Sequence, residues 1–138
     1  MNDTVVIRPG PQRSRWALAG AAAYLLWGLL HLGLGISMVG SAGADGLSAS
    51  ELEAESMMFF VCATVFGAQA IAVAWFLNRR NDWFGYWLNL VVLGLIDAAF
   101  VIVMVLPGHV DPIGGLSGPL VWVVAALTSS VAIRRTSR

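Results

Sequence analysis

Four long apolar stretches divide this chain of 138 residues, at positions 16–39, 57–77, 83–106 and 116–133. At 1.5 Å per helical residue, each is long enough to cross a bilayer core of roughly 30 Å. Hydrophobic residues make up 58% of the chain and charged residues only 12%, which is more apolar surface than a soluble domain of this size can bury. Because lipid offers no hydrogen bonds to the backbone, the sequence predicts an all-α, polytopic membrane protein with a four-helix transmembrane bundle.

The positive charges set the expected orientation of these spans. All eight are arginines. They lie before the first span, between the second and third, and after the fourth: Arg8, Arg13, Arg15, Arg79, Arg80, Arg134, Arg135 and Arg138. Arginine in short loops stays in the cytoplasm, so both termini are expected there, in a multi-pass protein of the cell membrane. Five of the acids lie in the other two connections, and this asymmetry indicates orientation and argues against a nucleic-acid partner.

The spans define three regions. We expect a disordered cytoplasmic tail at 1–15, a transmembrane domain at 16–133 and a basic cytoplasmic tail at 134–138. Ser50 followed three residues later by Glu53 predicts a capping box that starts the second helix before the membrane. Pro107-Gly108 should end the third helix, because proline cannot continue it.

A weak internal repeat relates the first and third spans. Gly28-Leu29-Leu30-His31 recurs 66 residues later as Gly94-Leu95-Ile96-Asp97. If the repeat is real, the bundle consists of two parallel helical hairpins related by an axis along the membrane normal, as in some transporters.

His31 and Asp97 are the titratable groups expected to carry any chemistry. A carboxylate in mid-membrane is costly and normally faces the bundle interior and finds a partner. Counted from Trp16 and Trp83, the two side chains share one depth, so we predict a hydrogen-bonded His31–Asp97 pair. The structural alternative is that each residue only makes an interhelical hydrogen bond.

Four neighbouring residues are candidate ligand contacts. Tyr24 and Trp27 share a helical face with His31, and Tyr86 shares one with Asp97. Gln69 lies on a stripe of the second span with Cys62, for which a role as a small apolar filler is the simpler interpretation. The glycines of spans one and three predict either close packing of these two helices or a narrow cavity between them.

No cofactor or metal is expected. His109 and Asp111 lie in a Gly/Pro-containing connection typical of turns, and the spacing of the chain's histidines, cysteine and acids matches no metal-binding motif. The chain also has no phosphate-binding loop, nucleophile elbow or nucleotide fingerprint.

The sequence leaves several functions open. The preferred hypothesis is a small integral membrane protein that serves in binding, transport or as an accessory component, in contact with membrane lipids. Its other expected partners are a lipophilic small molecule, a second copy of itself or another membrane protein. The alternative is a membrane-embedded enzyme in which His31 and Asp97 perform acid–base chemistry, such as isomerisation or hydration, on a lipid- or isoprenoid-like substrate.

Overall fold

The computed structural model describes residues 14–44 and 50–136, and all regular structure among them is helical. Four helices are long and apolar enough to cross a membrane, as predicted, and a short α4 precedes the last. Their bounds are α1 (Arg15–Ala44), α2 (Glu51–Phe76), α3 (Trp83–Phe100), α4 (Pro112–Gly115) and α5 (Ser117–Thr136). Of the tail expected at 1–15, residues 1–13 lie outside the described residues. The helix α1 already begins at Arg15.

The helix starts follow local capping chemistry. The predicted capping box of α2 is confirmed, because the Glu53 backbone N–H donates to Ser50 Oγ (3.3 Å) and the Ser50 N–H donates to a Glu53 carboxylate oxygen (3.1 Å). A 3₁₀ turn (Asn78–Arg80) links α2 to α3. Asp82 then caps α3 by accepting from the backbone of Gly85 at 2.8 Å.

The third helix ends just before Pro107-Gly108, as predicted, whereas the fourth continues beyond its expected end at Ile133. Within the third span, α3 passes into a π-helical segment (Val101–Val105), in which the Leu106 N–H donates to the Val101 carbonyl. The connection contains α4, capped by Asp111. At its C-terminal end, α5 includes residues 134–136, so most of the expected basic tail is helical.

Helix packing corrects one expectation. Spans one and three are not neighbours packed by their glycines. Instead α1 lies against α2 and α5, α3 lies against the same two helices, and α1 faces α3 across the bundle. Gly28 contacts the backbone of Gly67 on α2, and Gly94 contacts the ring of Trp122 on α5. Each of these contacts joins the two antiparallel helices of one hairpin. The internal repeat stays a prediction.

The two ends of the bundle differ in charge. We call the end of the bundle that holds the described arginines the arginine end. Two of these arginines lie over tryptophan rings: Arg79 over Trp75 at 4.5 Å and Arg135 over Trp16 at 5.3 Å. The other end is called the acidic end here. Its exposed acids are Glu51, Glu53, Glu55 and Asp111. Between the ends, Tyr24, Trp27 and Leu93 are completely buried at the centre of the core.

Candidate functional site

A buried hydrogen bond crosses the bundle between its two diagonal helices. The indole Nε1–H of Trp27 on α1 donates to Asp97 Oδ2 on α3 at 2.9 Å. Trp27 is fully buried and Asp97 is 4% exposed. A tryptophan is large enough to reach the middle of the bundle from α1, and a buried indole N–H normally finds a partner. Asp97 thus faces the interior, as expected of an acid in an apolar helix.

His31 lies one helical turn beyond Trp27 and stacks on it. Their ring centroids are 3.7 Å apart and the planes are inclined by 17°. His31 Nδ1 lies 2.9 Å from the Trp27 carbonyl oxygen. Because a carbonyl oxygen only accepts, Nδ1 carries the proton, and in a neutral ring Nε2 has a free lone pair.

His31 and Asp97 meet at Gly118 of α5 rather than at each other. A Cβ atom on Gly118 would lie 3.3 Å from His31 Nε2 and 3.7 Å from Asp97 Oδ1. His31 and Asp97 therefore both pack close to the backbone of Gly118, and their two free polar atoms lie near each other in one cavity wall. The predicted hydrogen bond between His31 and Asp97 is wrong in its direct form, since both side chains bond to Trp27 instead.

These three side chains form part of the wall of a cavity of about 710 Å³ in the half of the bundle nearer the acidic end. Most of its wall is apolar. Aromatic and aliphatic side chains of α2, α3 and the π-helical segment supply much of it, among them Phe59, Phe66, Ile96, Phe100 and Val103. Phe59 and Val103 are about half exposed, so the cavity opens onto the apolar outer surface of the bundle.

The other predicted ligand contacts lie outside this cavity wall. Tyr24 is fully buried in the core, and its hydroxyl has no hydrogen-bond partner among the described residues. The same holds for the side-chain nitrogen of Gln69. The Tyr86 hydroxyl lies 2.9 Å from Ser130 Oγ, which joins α3 to α5. Of the four candidates, the structure brings only Trp27 together with His31 and Asp97.

Sequence reasoning missed two contributors to the site. Cys62, interpreted as an apolar filler, is exposed and lines the cavity. Its seven-residue spacing from Gln69 was visible, but that spacing does not show which helix the stripe faces. Gly118 gave no signal, because a glycine in an apolar helix does not identify the side chains that pack on it.

The described residues contain no group of three or more His, Cys, Asp or Glu side chains that could hold a metal ion. Asp111 is engaged as the cap of α4, where it accepts from the backbone of Gly114 at 3.0 Å. Comparison with family models, with curated proteins and with solved structures finds no match to this chain. The function must therefore be argued from the site itself.

Proposed function

We propose that this chain is a multi-pass membrane protein that binds a lipophilic small molecule in the cavity beside Trp27, His31 and Asp97. The observation that carries the proposal is the make-up of that cavity. Its volume of about 710 Å³ suits a small ligand, and its largely apolar wall carries a few polar groups that converge on Gly118. An apolar tail would lie against the phenylalanines, and one polar group would lie at His31 and Asp97.

Membrane insertion, with the arginine end in the cytoplasm, is part of this proposal. It is supported by the exposed apolar side chains along all four long helices and by the tryptophans beneath the arginines at one end. Cysteine scanning tests it in a Cys62→Ser background, which leaves the chain without other cysteines. In intact cells a membrane-impermeant maleimide should label Glu51→Cys and not Arg80→Cys. The reverse pattern would contradict the orientation.

Cys62 itself provides the binding test, because this single thiol lines the cavity. In phosphatidylcholine nanodiscs, a bound 1-dodecanol molecule should slow alkylation of Cys62 by N-ethylmaleimide. Conversely, prior alkylation should reduce binding. The readout is the rate of mass increase of the intact protein.

Val61 offers a matched control position. It is 40% exposed and lies outside the cavity wall. In the variant Cys62→Ser/Val61→Cys, the thiol is moved by one residue to the outer surface, and 1-dodecanol should leave its alkylation rate unchanged. Equal protection of both thiols would mean that the alcohol acts through the bilayer, and this result would contradict the proposal.

Acid–base catalysis is a second candidate, favoured by the placement of His31 Nε2 and Asp97 Oδ1 near each other in one cavity wall. An isomerase in this cavity would exchange a substrate C–H hydrogen with solvent. Deuterium uptake from D₂O by an isoprenoid alcohol, lost in His31→Ala, would support it. Uptake at the same rate in His31→Ala would rule out this role for His31.

A further inference from the structure

Asp97 lies in apolar surroundings without a cation beside it. Its Oδ2 accepts from the neutral indole of Trp27, while Oδ1 makes no hydrogen bond to any described residue. The chain has no lysine, and its described arginines all lie at the arginine end, away from the cavity wall. A carboxylate buried in this way is costly until it meets a positive charge and further hydrogen bonds.

His31 adds a second acceptor near Asp97 Oδ1 in the same cavity wall. Its Nδ1–H is used by the Trp27 carbonyl, so the neutral ring offers only the Nε2 lone pair, 3.3 Å from the Cβ position at Gly118. Two acceptors that lie near each other in one cavity wall match a group with at least two N–H or O–H donors. A hydroxyl has one such donor, whereas a primary ammonium has three.

The surroundings of the cavity have the same sign of charge as Asp97. Glu55 lies one helical turn before Phe59, which forms part of the cavity wall. Glu51 and Asp111 are exposed at the same end, where no described arginine lies. Such a field raises the local concentration of cations and disfavours anionic amphiphiles.

We infer that the ligand of this cavity is a lipophilic primary amine, bound as its ammonium ion with N–H groups directed to Asp97 Oδ1 and His31 Nε2. This inference rests on the proposed function and adds the class of ligand to it. Trp27 acts as a positioning residue, because its N–H fixes the Asp97 carboxylate and its ring holds His31 in place.

Two probes of equal chain length test the inference. Dodecylamine is protonated at neutral pH, as lysine is, and 1-dodecanol is its neutral counterpart. The readout is protection of Cys62 from N-ethylmaleimide. The membrane concentration that gives half-protection should be about tenfold lower for dodecylamine than for 1-dodecanol, because hydrogen bonds that involve charged groups are stronger than those between neutral groups.

The variant Asp97→Asn should abolish this preference, because it removes the negative charge that the ammonium ion would meet. Asp111→Asn is the matched control, because it removes an acid at the same end outside the cavity wall, and the preference should persist. The comparison of the two probes on the unmodified protein needs no variant, so it holds even if Asp97→Asn fails to fold.

The outcomes separate the two proposals. Equal protection by both probes, or a preference that persists in Asp97→Asn, overturns the assignment of an ammonium ligand and leaves lipophilic binding intact. Protection by neither probe overturns lipophilic binding itself, and the ligand class with it.

Discussion

The two faces of α2 pack in opposite ways. Toward α1 the backbones touch: a Cβ on Gly67 would lie 2.6 Å from the Leu32 nitrogen, and one on Gly28 would lie 2.7 Å from the Gly67 carbonyl oxygen. Toward α3 the contact is made by large rings. Phe59 and Phe100 stack with centroids 6.4 Å apart, and the cavity lies beside them.

This difference shows what determines where apolar helices meet. Both faces of α2 are apolar, so under the proposed membrane insertion hydrophobicity does not favour one face over the other. Glycines let two backbones approach and gain dispersion contacts, whereas phenylalanines keep the helices apart. The α1–α2 interface therefore stabilises the bundle, and the α2–α3 interface leaves room for a ligand.

The largest expected effect comes from adding a side chain to the α1–α2 interface. Gly67→Val would force a branched side chain into backbone atoms that cannot move aside, and should cost about 3 kcal/mol or more in the free energy of unfolding. Gly33→Val is the matched control, because nothing lies within 4 Å of its Cβ position. Detergent-induced unfolding followed by circular dichroism measures both. Equal stability of the two variants would show that the α1–α2 contact is not close.

The next effect concerns the bond that crosses the bundle. Trp27→Phe should leave Asp97 buried without its donor and cost about 1–3 kcal/mol more than Trp122→Phe. Trp122 is a suitable reference, since its indole N–H has no partner among the described residues. The same unfolding assay applies. A smaller loss in Trp27→Phe than in Trp122→Phe would contradict the importance of the Trp27–Asp97 bond.

A stabilising change is expected on the inner face of α3. Asn89 is completely buried, and neither amide atom has a partner among the described residues, so Asn89→Leu should raise the free energy of unfolding by about 1 kcal/mol. Asn78→Leu should have the opposite effect, because that amide, oriented with its nitrogen toward the carbonyls of Val73 and Gly85, donates to both. A loss of stability in Asn89→Leu would indicate that this amide binds ordered water.

The smallest stability effect should come from filling the cavity on the α3 side. Ala99 lines the cavity, so Ala99→Phe should change the free energy of unfolding by no more than about 0.5 kcal/mol while it weakens 1-dodecanol protection of Cys62. Ala98→Phe places the same ring outside the cavity wall and should leave protection intact. Unchanged protection in Ala99→Phe would place the alcohol elsewhere.

The four spans and the start of α2 were predictable because they follow from local rules. Length and hydropathy define the four helices, and the Ser50–Glu53 capping box fixes the start of one of them. The common depth of His31 and Asp97 followed from counting residues along two helices that run in the same direction. That count gives depth along the helix axis and nothing else.

Which helix packs against which could be learned only from the structure. Gly28 and Gly94 mark faces of close approach, but a glycine does not identify its partner helix, and α1 in fact packs on α2. For the same reason the sequence did not show that Trp27 would stand between His31 and Asp97. The π-helical segment was equally hidden, because five aliphatic residues in a row carry no periodic pattern.

That π-helical segment determines how α3 can change in length. Each residue of an α-helix advances the chain by about 100° around the axis, so a deletion elsewhere in α3 would rotate everything beyond it out of register. A deletion within Val101–Val105 would instead convert the wide turn into an ordinary α-turn. Asp97 and Val105, both buried, would keep facing the same side. The segment is therefore the one stretch of this helix where the gene could lose a codon and the protein keep its interior.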